Sequence, residues 1–344
     1  MRALLWWSLL LVPVDLVADL AGASGTVLFA LSAASLVPLA YVIGEATEQA
    51  GEHTGPAVAG LLNASFGNAP ELIIALFAVQ RGLADFVRGS LTGSVVSNLL
   101  LVLGATLVVG RAGVLNRRTG FTWLAQTALA VVLFVLPAAA HGFDGHDSRP
   151  MAAITVPIAV VLLALYVVLT ARSVVRERGR HLAERDEERV EAAWSFRASM
   201  LVLGMSAVAT AFVSEILTGS VEDFSRTVRL DEFFVAAVIV AVVGNAAEHG
   251  GAVVIASRGN VELAAEIPLS SSAQVALFVV PLVVLVSYAM TPLPLAFRPV
   301  ELATMAVAVV LPAAVVARGR GSRWWGAALL AAYAAAAAGY YLAA

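Results

Sequence analysis

Eleven apolar stretches, each near the ~20 residues that cross the hydrocarbon core of a bilayer, leave this chain little choice of fold. They run roughly 3–20, 25–44, 56–80, 86–109, 120–140, 150–172, 196–218, 232–256, 261–290, 296–316 and 323–343. The longest, 261–290, is expected to break near Pro268 or Pro281. No alternating strand pattern recurs, which argues against a β-barrel. The expected fold class is therefore all-α, a polytopic membrane protein of about 11 transmembrane helices.

Composition agrees. Sixty per cent of the 344 residues are hydrophobic and only 13% are charged, far from a soluble domain. With no cysteine, a bound metal must use oxygen or imidazole ligands. The net charge of −3 is thinly spread and implies no nucleic-acid partner. The first stretch carries Pro13, Asp15 and Asp19 and no clear small-residue cleavage site, so it reads as a first span rather than a signal peptide. Asp15 and Asp19 are assigned to a helix end.

Arginine placement sets an expected orientation, since cytoplasmic loops carry the excess of positive charge. All 21 basic residues are arginine; with the N-terminus inside, 15 fall inside and 6 outside. The C-terminus is then outside, and the membrane expected is a prokaryotic cell (inner) membrane. The one long charged stretch, Val174 to Trp194, mixes six acids with arginines at helical pairing distances such as Arg180/Glu184. It reads as a cytoplasmic connector, either simply solvated or cation-sensing.

Two of the apolar stretches hold a carboxylate at their centre, which costs roughly 2.5–3.5 kcal/mol on insertion scales and marks a functional site. They are Gly67-Asn68-Ala69-Pro70-Glu71 and Gly244-Asn245-Ala246-Ala247-Glu248. The second follows the first by 177 positions, and at that spacing Arg81-Gly82 meets Arg258-Gly259, Asp85 meets Glu262, Ser94 meets Ser271 and Ser97 meets Gln274. The chain is thus an internal repeat. If the first span stands apart, each copy has five spans, and an odd number makes the repeat inverted, with its site at the midplane. The expected units are an N-terminal helix at 1–22, a first five-helix repeat at 23–172, a charged linker at 173–194 and a second repeat at 195–344.

The motif has a clear chemistry. Gly67 and Gly244 weaken the helix and allow close approach. Pro70 lacks an amide hydrogen and frees the Phe66 carbonyl. Glu71 and Glu248 bring two charges, and with carbonyl oxygens they make a hard cage suited to Ca2+ and tolerable for Mn2+. When the ion leaves, protons can neutralise the same oxygens, because two buried like charges disfavour each other's ionisation. Asn68 and Asn245 are either ligands or caps of the broken helix. His249 is either a proton relay or a hydrogen-bonded structural group. Ser94, Ser97, Asn98, Ser271, Ser272 and Gln274 form a second polar layer that either lines the pathway or serves packing. Glu45 and Glu215 flank the site as way-stations for cations or protons, Glu45 equally as an interfacial residue.

Gly-Asn-Ala-x-Glu in both halves, followed by Gly93-Ser94-Val95-Val96-Ser97-Asn98 and by Ser270-Ser271-Ser272-Ala273-Gln274, resembles the Ca2+/H+ antiporters (cation/proton exchangers) of the Ca2+/cation antiporter superfamily. Pro38-Leu39-Ala40 through Gly44-Glu45-Ala46-Thr47-Glu48 resembles the family's segment before the first motif. The resemblance covers nearly the whole chain. It implies eleven helices, with helices 2–6 and 7–11 as inverted repeats. It also implies Glu71 and Glu248 as Ca2+ ligands, assisted by carbonyls around Gly67 and Gly244. Related Na+/Ca2+ exchangers usually carry Ser or Thr where Asn68 and Asn245 stand, which favours protons as counter-ion. Pro70 departs from the pattern, and so does the linker, whose acids are matched by arginines.

The function expected is alternating-access exchange of Ca2+ for H+, with Ca2+ as transported substrate and no prosthetic group. The alternatives are Mn2+/H+ or Na+/H+ exchange on the same fold, or a cation channel. An enzyme is not expected: there is no Ser/His/Asp arrangement or phosphate loop, and the five histidines show no His-x-x-x-His spacing. The partners are the two ions and the lipid bilayer, with the chain as a monomer or homo-oligomer.

Overall fold

A computed structural model of the chain describes residues 6–54, 56–110, 112–140, 148–181, 194–294 and 296–343. In order, its helices are α1 (Leu11–Leu20), α2 (Gly25–Glu52), α3 (Pro56–Phe66), α4 (Ala69–Gln80), α5 (Ala84–Val109), α6 (Arg117–Ala140), α7 (Ser148–His181) and α8 (Phe196–Val228). They continue as α9 (Glu232–Gly244), α10 (Ala246–Ser257), α11 (Val261–Ser287), α12 (Pro299–Arg318) and α13 (Arg323–Ala343). Eight are long and apolar enough to cross a membrane, and the bent pair α9–α10 makes a ninth span. The expected eleven are reached by counting α3–α4, the counterpart of that pair, and the short α1.

Helices dominate because hydrocarbon offers backbone N–H and C=O groups no partner except one another. Their ends are closed locally. Ser195 Oγ, Asp231 Oδ1 and Asn260 Oδ1 accept from the amides of Ala198, Phe233 and Leu263 at 3.2, 2.8 and 3.1 Å. Gly82 and Gly259, the equivalent turn glycines of the two copies, take φ of +74° and +91°, a conformation glycine adopts without steric cost.

Two sets of contacts hold the halves together. α2 and α8 run antiparallel: Thr26 Oγ1 donates to Thr227 Oγ1 (3.0 Å), and the Trp194 amide donates to Gln49 Oε1 (3.1 Å) at the other end. α5 crosses α9 so closely that a Cβ on Gly93 would lie 2.2 Å from the Ala237 carbonyl oxygen, and one on Gly89 2.5 Å from that of Phe233. This is the small-xxx-small packing of membrane helices.

Four local features differ from the expectation. α11 does not break at Pro268 or Pro281. It runs through, with a π-helical turn at Val275–Val279 between them, and that wider turn already shifts the hydrogen-bond ladder ahead of Pro281. α5 carries a matching π turn at Ser97–Val102. Second, α2 extends to Glu52, past the apolar boundary at 44, because its acids continue the helix. Third, Ala112–Val114 (β1) pairs antiparallel with Arg320–Ser322 (β2), Gly113 opposite Gly321. Strands of three residues are too short to leave a period in the sequence. Fourth, Asp15 is not at a helix end but buried in the middle of α1; Asp19 is exposed near the end, as expected. Residues 182–193 of the charged linker lie outside the described residues, and α7 continues from the expected span end at 172 as far as His181.

Gly93→Val should therefore lower stability by about 1–3 kcal/mol through overpacking. A drop in melting temperature of the detergent-solubilised protein checks this. Gly44→Ala, inside α2 where an added Cβ meets nothing within 4 Å, should leave the melting temperature the same or slightly higher.

Candidate functional site

The two motifs break their helices in the same way. Asn68 has φ −101° and ψ 18°, and Asn245 has φ −96° and ψ 9°. α9 and α10 meet there at a bend of 58°. Pro70 falls in the first turn of α4, where a missing amide hydrogen costs nothing. Since Asn245 adopts the same backbone without a proline beside it, Pro70 fits the break rather than makes it. Gly67 is required locally: a Cβ there would lie 2.5 Å from the Asn63 carbonyl oxygen.

The side chains then cross between halves. The Glu71 side chain lies over Gly244, with its Cγ 3.8 Å from where a Cβ would stand. Asn68 Nδ2 donates to Gln274 Oε1 of α11 (2.7 Å). Asn245 Nδ2 donates to Ser94 Oγ of α5 (3.0 Å) and to the Ala241 carbonyl (2.9 Å). Asn98 Nδ2 donates to Ser271 Oγ (3.1 Å), and Ser271 is hydrogen-bonded to Glu248. Each broken helix is thus stitched to the polar helix of the opposite copy. Neither asparagine caps the helix that follows it, though Asn245 closes the Ala241 carbonyl at the end of α9, so capping holds there in part.

What these bonds leave over is chemically specific. Asn68 Oδ1, Glu71 Oε2, Asn98 Oδ1, Asn245 Oδ1 and Glu248 Oε2 are all buried without a hydrogen-bond partner. The charges of Glu71 and Glu248 are near enough to interact, and neither forms an ion pair among the described residues. Unpaired buried oxygens cost about 1–3 kcal/mol each, more when charged. Such a set is what a hard, oxygen-seeking cation would complete. Among the described residues no three acids or histidines cluster, so any metal held here takes amide and carbonyl oxygens besides the two carboxylates.

Burial differs between the two sides of the break. On the α4 and α9 side, Ile74, Ala75, Ala78, Ala236, Ala237 and Val240 are buried. On the α3 and α10 side, Asn63, Gly250 and Gly251 are exposed. Glu71 is 7% exposed, while Glu248 is half-buried.

The remaining expected residues divide. His249 lies beside Glu248 with its Nε2 buried and unpaired. Ser97 turns its hydroxyl back to the Ser94 carbonyl (3.3 Å), and Ser272 to that of Pro268 (2.8 Å), so both serve their own helices. Glu45 is half-buried and accepts from Tyr41 Oη (3.1 Å). The Glu215 side chain is exposed, and its carbonyl accepts from Arg81 (3.3 Å). The sequence reading missed Glu301, which is fully buried in the first turn of α12, with Arg88 Nε 3.9 Å away. Asp85 bridges Arg88 and Arg298, joining α5 to the start of α12. Nothing in the local sequence sets Glu301 apart from an ordinary first-turn acid.

The pattern of the family described as sodium/calcium exchanger protein matches residues 24–175 and 198–341. The chain belongs to this family. The two matched stretches are separated at the charged linker. Among relatives, the Ca(2+)/H(+) antiporter ChaA of Bacillus subtilis is 36% identical over 316 residues, 88% of this chain and 89% of the relative. The Ca(2+)/H(+) antiporter of Synechocystis is 33% identical over 339 residues, 91% of this chain and 90% of the relative. Among solved structures, native YfkE superposes with a TM-score of 0.83 at 32% identity, covering 96% of this chain and 97% of that one. The H+/Ca2+ exchanger CAX shares the fold, with a TM-score of 0.74 at 14% identity over 99% of this chain and 92% of its own.

Gln274→Leu would leave the Asn68 amide buried without an acceptor. It should destabilise by about 1–3 kcal/mol, measured by melting in detergent. Ser97→Ala, whose hydroxyl bonds its own helix, should cost less than Gln274→Leu in the same measurement.

Proposed function

We propose that this protein exchanges Ca2+ for H+ across a membrane, with Glu71 and Glu248 binding the ion deprotonated and returning protonated. The observation that carries the reading is the set of buried, unpartnered oxygens drawn from both halves: Asn68, Glu71, Asn98, Asn245 and Glu248. Two carboxylates neutralise one divalent ion, and two protons neutralise the same pair. On this reading the backbone carbonyls around Gly67 and Gly244 add oxygens to the two carboxylates. Asn68 and Asn245 hold the breaks in register while offering their own oxygens. The relatives named as Ca2+/H+ antiporters, and YfkE among the solved structures, support the choice of ions and of transport rather than catalysis.

On this reading the 23–172 and 195–344 segments are inverted repeats, with 1–22 an added helix and 173–194 a cytoplasmic linker. Alternating access is rocking of one unit against the other about the midplane. The exposed α3 and α10 side is the cytoplasmic one when the N-terminus is inside, so the conformation described is inward-open. Ser94, Ser271 and Gln274 set the geometry of the site, and His249, beside the half-buried Glu248, lies on the proton route. The protein is an integral membrane protein, for which a bacterial cell membrane fits its bacterial relatives.

The test is reconstitution. Glu71→Gln and Glu248→Gln should each reduce pH-gradient-driven uptake of radiolabelled Ca2+ into proteoliposomes to the level of empty vesicles. Pro70→Ala should retain uptake, since Asn245 breaks its helix without a proline. Uptake that survives in either glutamine variant overturns the mechanism. Competition by Mn2+ and Na+ in the same vesicles reads the selectivity, and Ca2+ flux without a pH-dye response would mean a channel.

A further inference from the structure

The only buried residue of α1 is its carboxylate, Asp15. Three of its apolar side chains point outward: Val14 is 51% exposed, Val17 64% and Leu20 87%. Asp15, at 0% exposure, faces α2. There Ser32 Oγ donates to its Oδ2 at 2.8 Å, and its Oδ1 has no partner. Ser35, one helical turn along the same face of α2, is fully buried and its hydroxyl is also unpartnered. Val12 packs in part on the core, but the one fully buried contact that docks this helix is an acid.

Among the described residues no cation pairs with that acid. On its own helix the charge that acts on it is Asp19, another carboxylate. On α2 the charged residues are Glu45, Glu48 and Glu52, all toward the far end from Ser32. α8 also packs on α1. The contact of Gly25 with Asp223 and the bond from Thr26 to Thr227 bring the C-terminal half of α8 to this depth, where its acids are Glu215, Glu222 and Asp223. Of the arginines that meet this half of α8, Arg226 is spent on Glu222 at 2.5 Å and Arg81 donates to the Glu215 carbonyl at 3.3 Å. An ionised Asp15 would thus be buried with one hydroxyl donor and no ion pair among the described residues, an arrangement that neutralisation relieves. A divalent ion does not fit: one carboxylate and two hydroxyls fall short of the 6–8 oxygens Ca2+ takes. A proton on Oδ1 removes the charge and turns the orphan acceptor into a donor.

We propose that Asp15 is a proton-binding site separate from the Glu71–Glu248 pair, and that its protonation docks α1 onto α2. The chemistry is balanced by one proton taken from or returned to solvent, with no other reactant. α2 lies against α8 and against α10, the half-helix that carries Glu248. Release of α1 on deprotonation therefore loosens a helix that backs the exchange site. The inference stands on the α1–α2 contact and does not depend on the identity of the exchanged ions.

The test uses the full-length protein in proteoliposomes, with Val14→Cys as the sole thiol of a chain without cysteine, carrying a nitroxide. The label should be immobilised in acid and become mobile in alkali, with one transition. Adding Asp15→Asn should keep it immobilised throughout. Adding Glu71→Gln and Glu248→Gln should leave the transition in place, which separates this site from the exchange pair. Ser32→Ala, which keeps the carboxyl, should move the midpoint. In infrared difference spectra the protonated-carboxyl band that follows the same transition should vanish with Asp15→Asn and persist with both glutamine substitutions. A label whose mobility ignores pH, or a transition that survives Asp15→Asn, overturns the proposal. So does a midpoint that moves when Na+ is replaced by choline, which would make the ligand a monovalent metal ion.

Discussion

An oxygen that is buried and unpaired must find a partner or be exposed, and the centre of this molecule is built on that demand. The amide hydrogens of Asn68, Asn98 and Asn245 are consumed by hydrogen bonds across the two halves. Their oxygens, with Glu71 Oε2 and Glu248 Oε2, are left buried without a hydrogen-bond partner. The same residues thus perform two tasks with opposite ends of their side chains. The donors hold the halves in register, and the acceptors stay unpaired, as the proposed cation site requires. Close glycine crossings between α5 and α9 bring the backbones near enough for such short side chains to reach across.

The two copies are alike in backbone and unlike in surroundings. The breaks at Asn68 and Asn245 agree within about ten degrees although only one has a neighbouring proline. Glu71 is enclosed while Glu248 is half-buried and bonded to Ser271. Asn68 reaches Gln274, whereas Asn245 reaches Ser94, one turn away from the position that strict symmetry would select. Under the proposed alternating access the two halves exchange roles, and the unequal burial is what one state of such a cycle would carry.

Much of this was legible in the sequence, and the reasons are physical. Apolar length identifies spans because bilayer thickness is nearly constant, and a mid-span acid identifies a site because its cost is high. The 177-residue spacing paired Glu71 with Glu248 and Ser94 with Ser271 without any coordinate. Features that depend on a partner distant in sequence were not legible. Glu301 reads as a first-turn helix acid until Arg88 is seen beside it. Asp15 was assigned to a helix end because nothing near it in sequence announces Ser32 across the gap. The β1–β2 ribbon and the π turns involve too few residues to imprint a period.

The π turns carry one more consequence. Each is a helix with one residue too many for its length, the signature of a single inserted codon. Residues 98–102 of the first copy fall on 275–279 of the second at the common spacing, so the surplus residue sits in the same place in both. A shared insertion in register is most simply one event inherited twice, older than the doubling of the gene. The π turn at Val235–Val240 has no counterpart in Pro56–Phe66 and belongs to one copy alone. The surplus residue is therefore shared where α5 and α11 carry the polar layer and unshared where α9 meets α5, so the two copies match most closely in the helices that face each other's breaks.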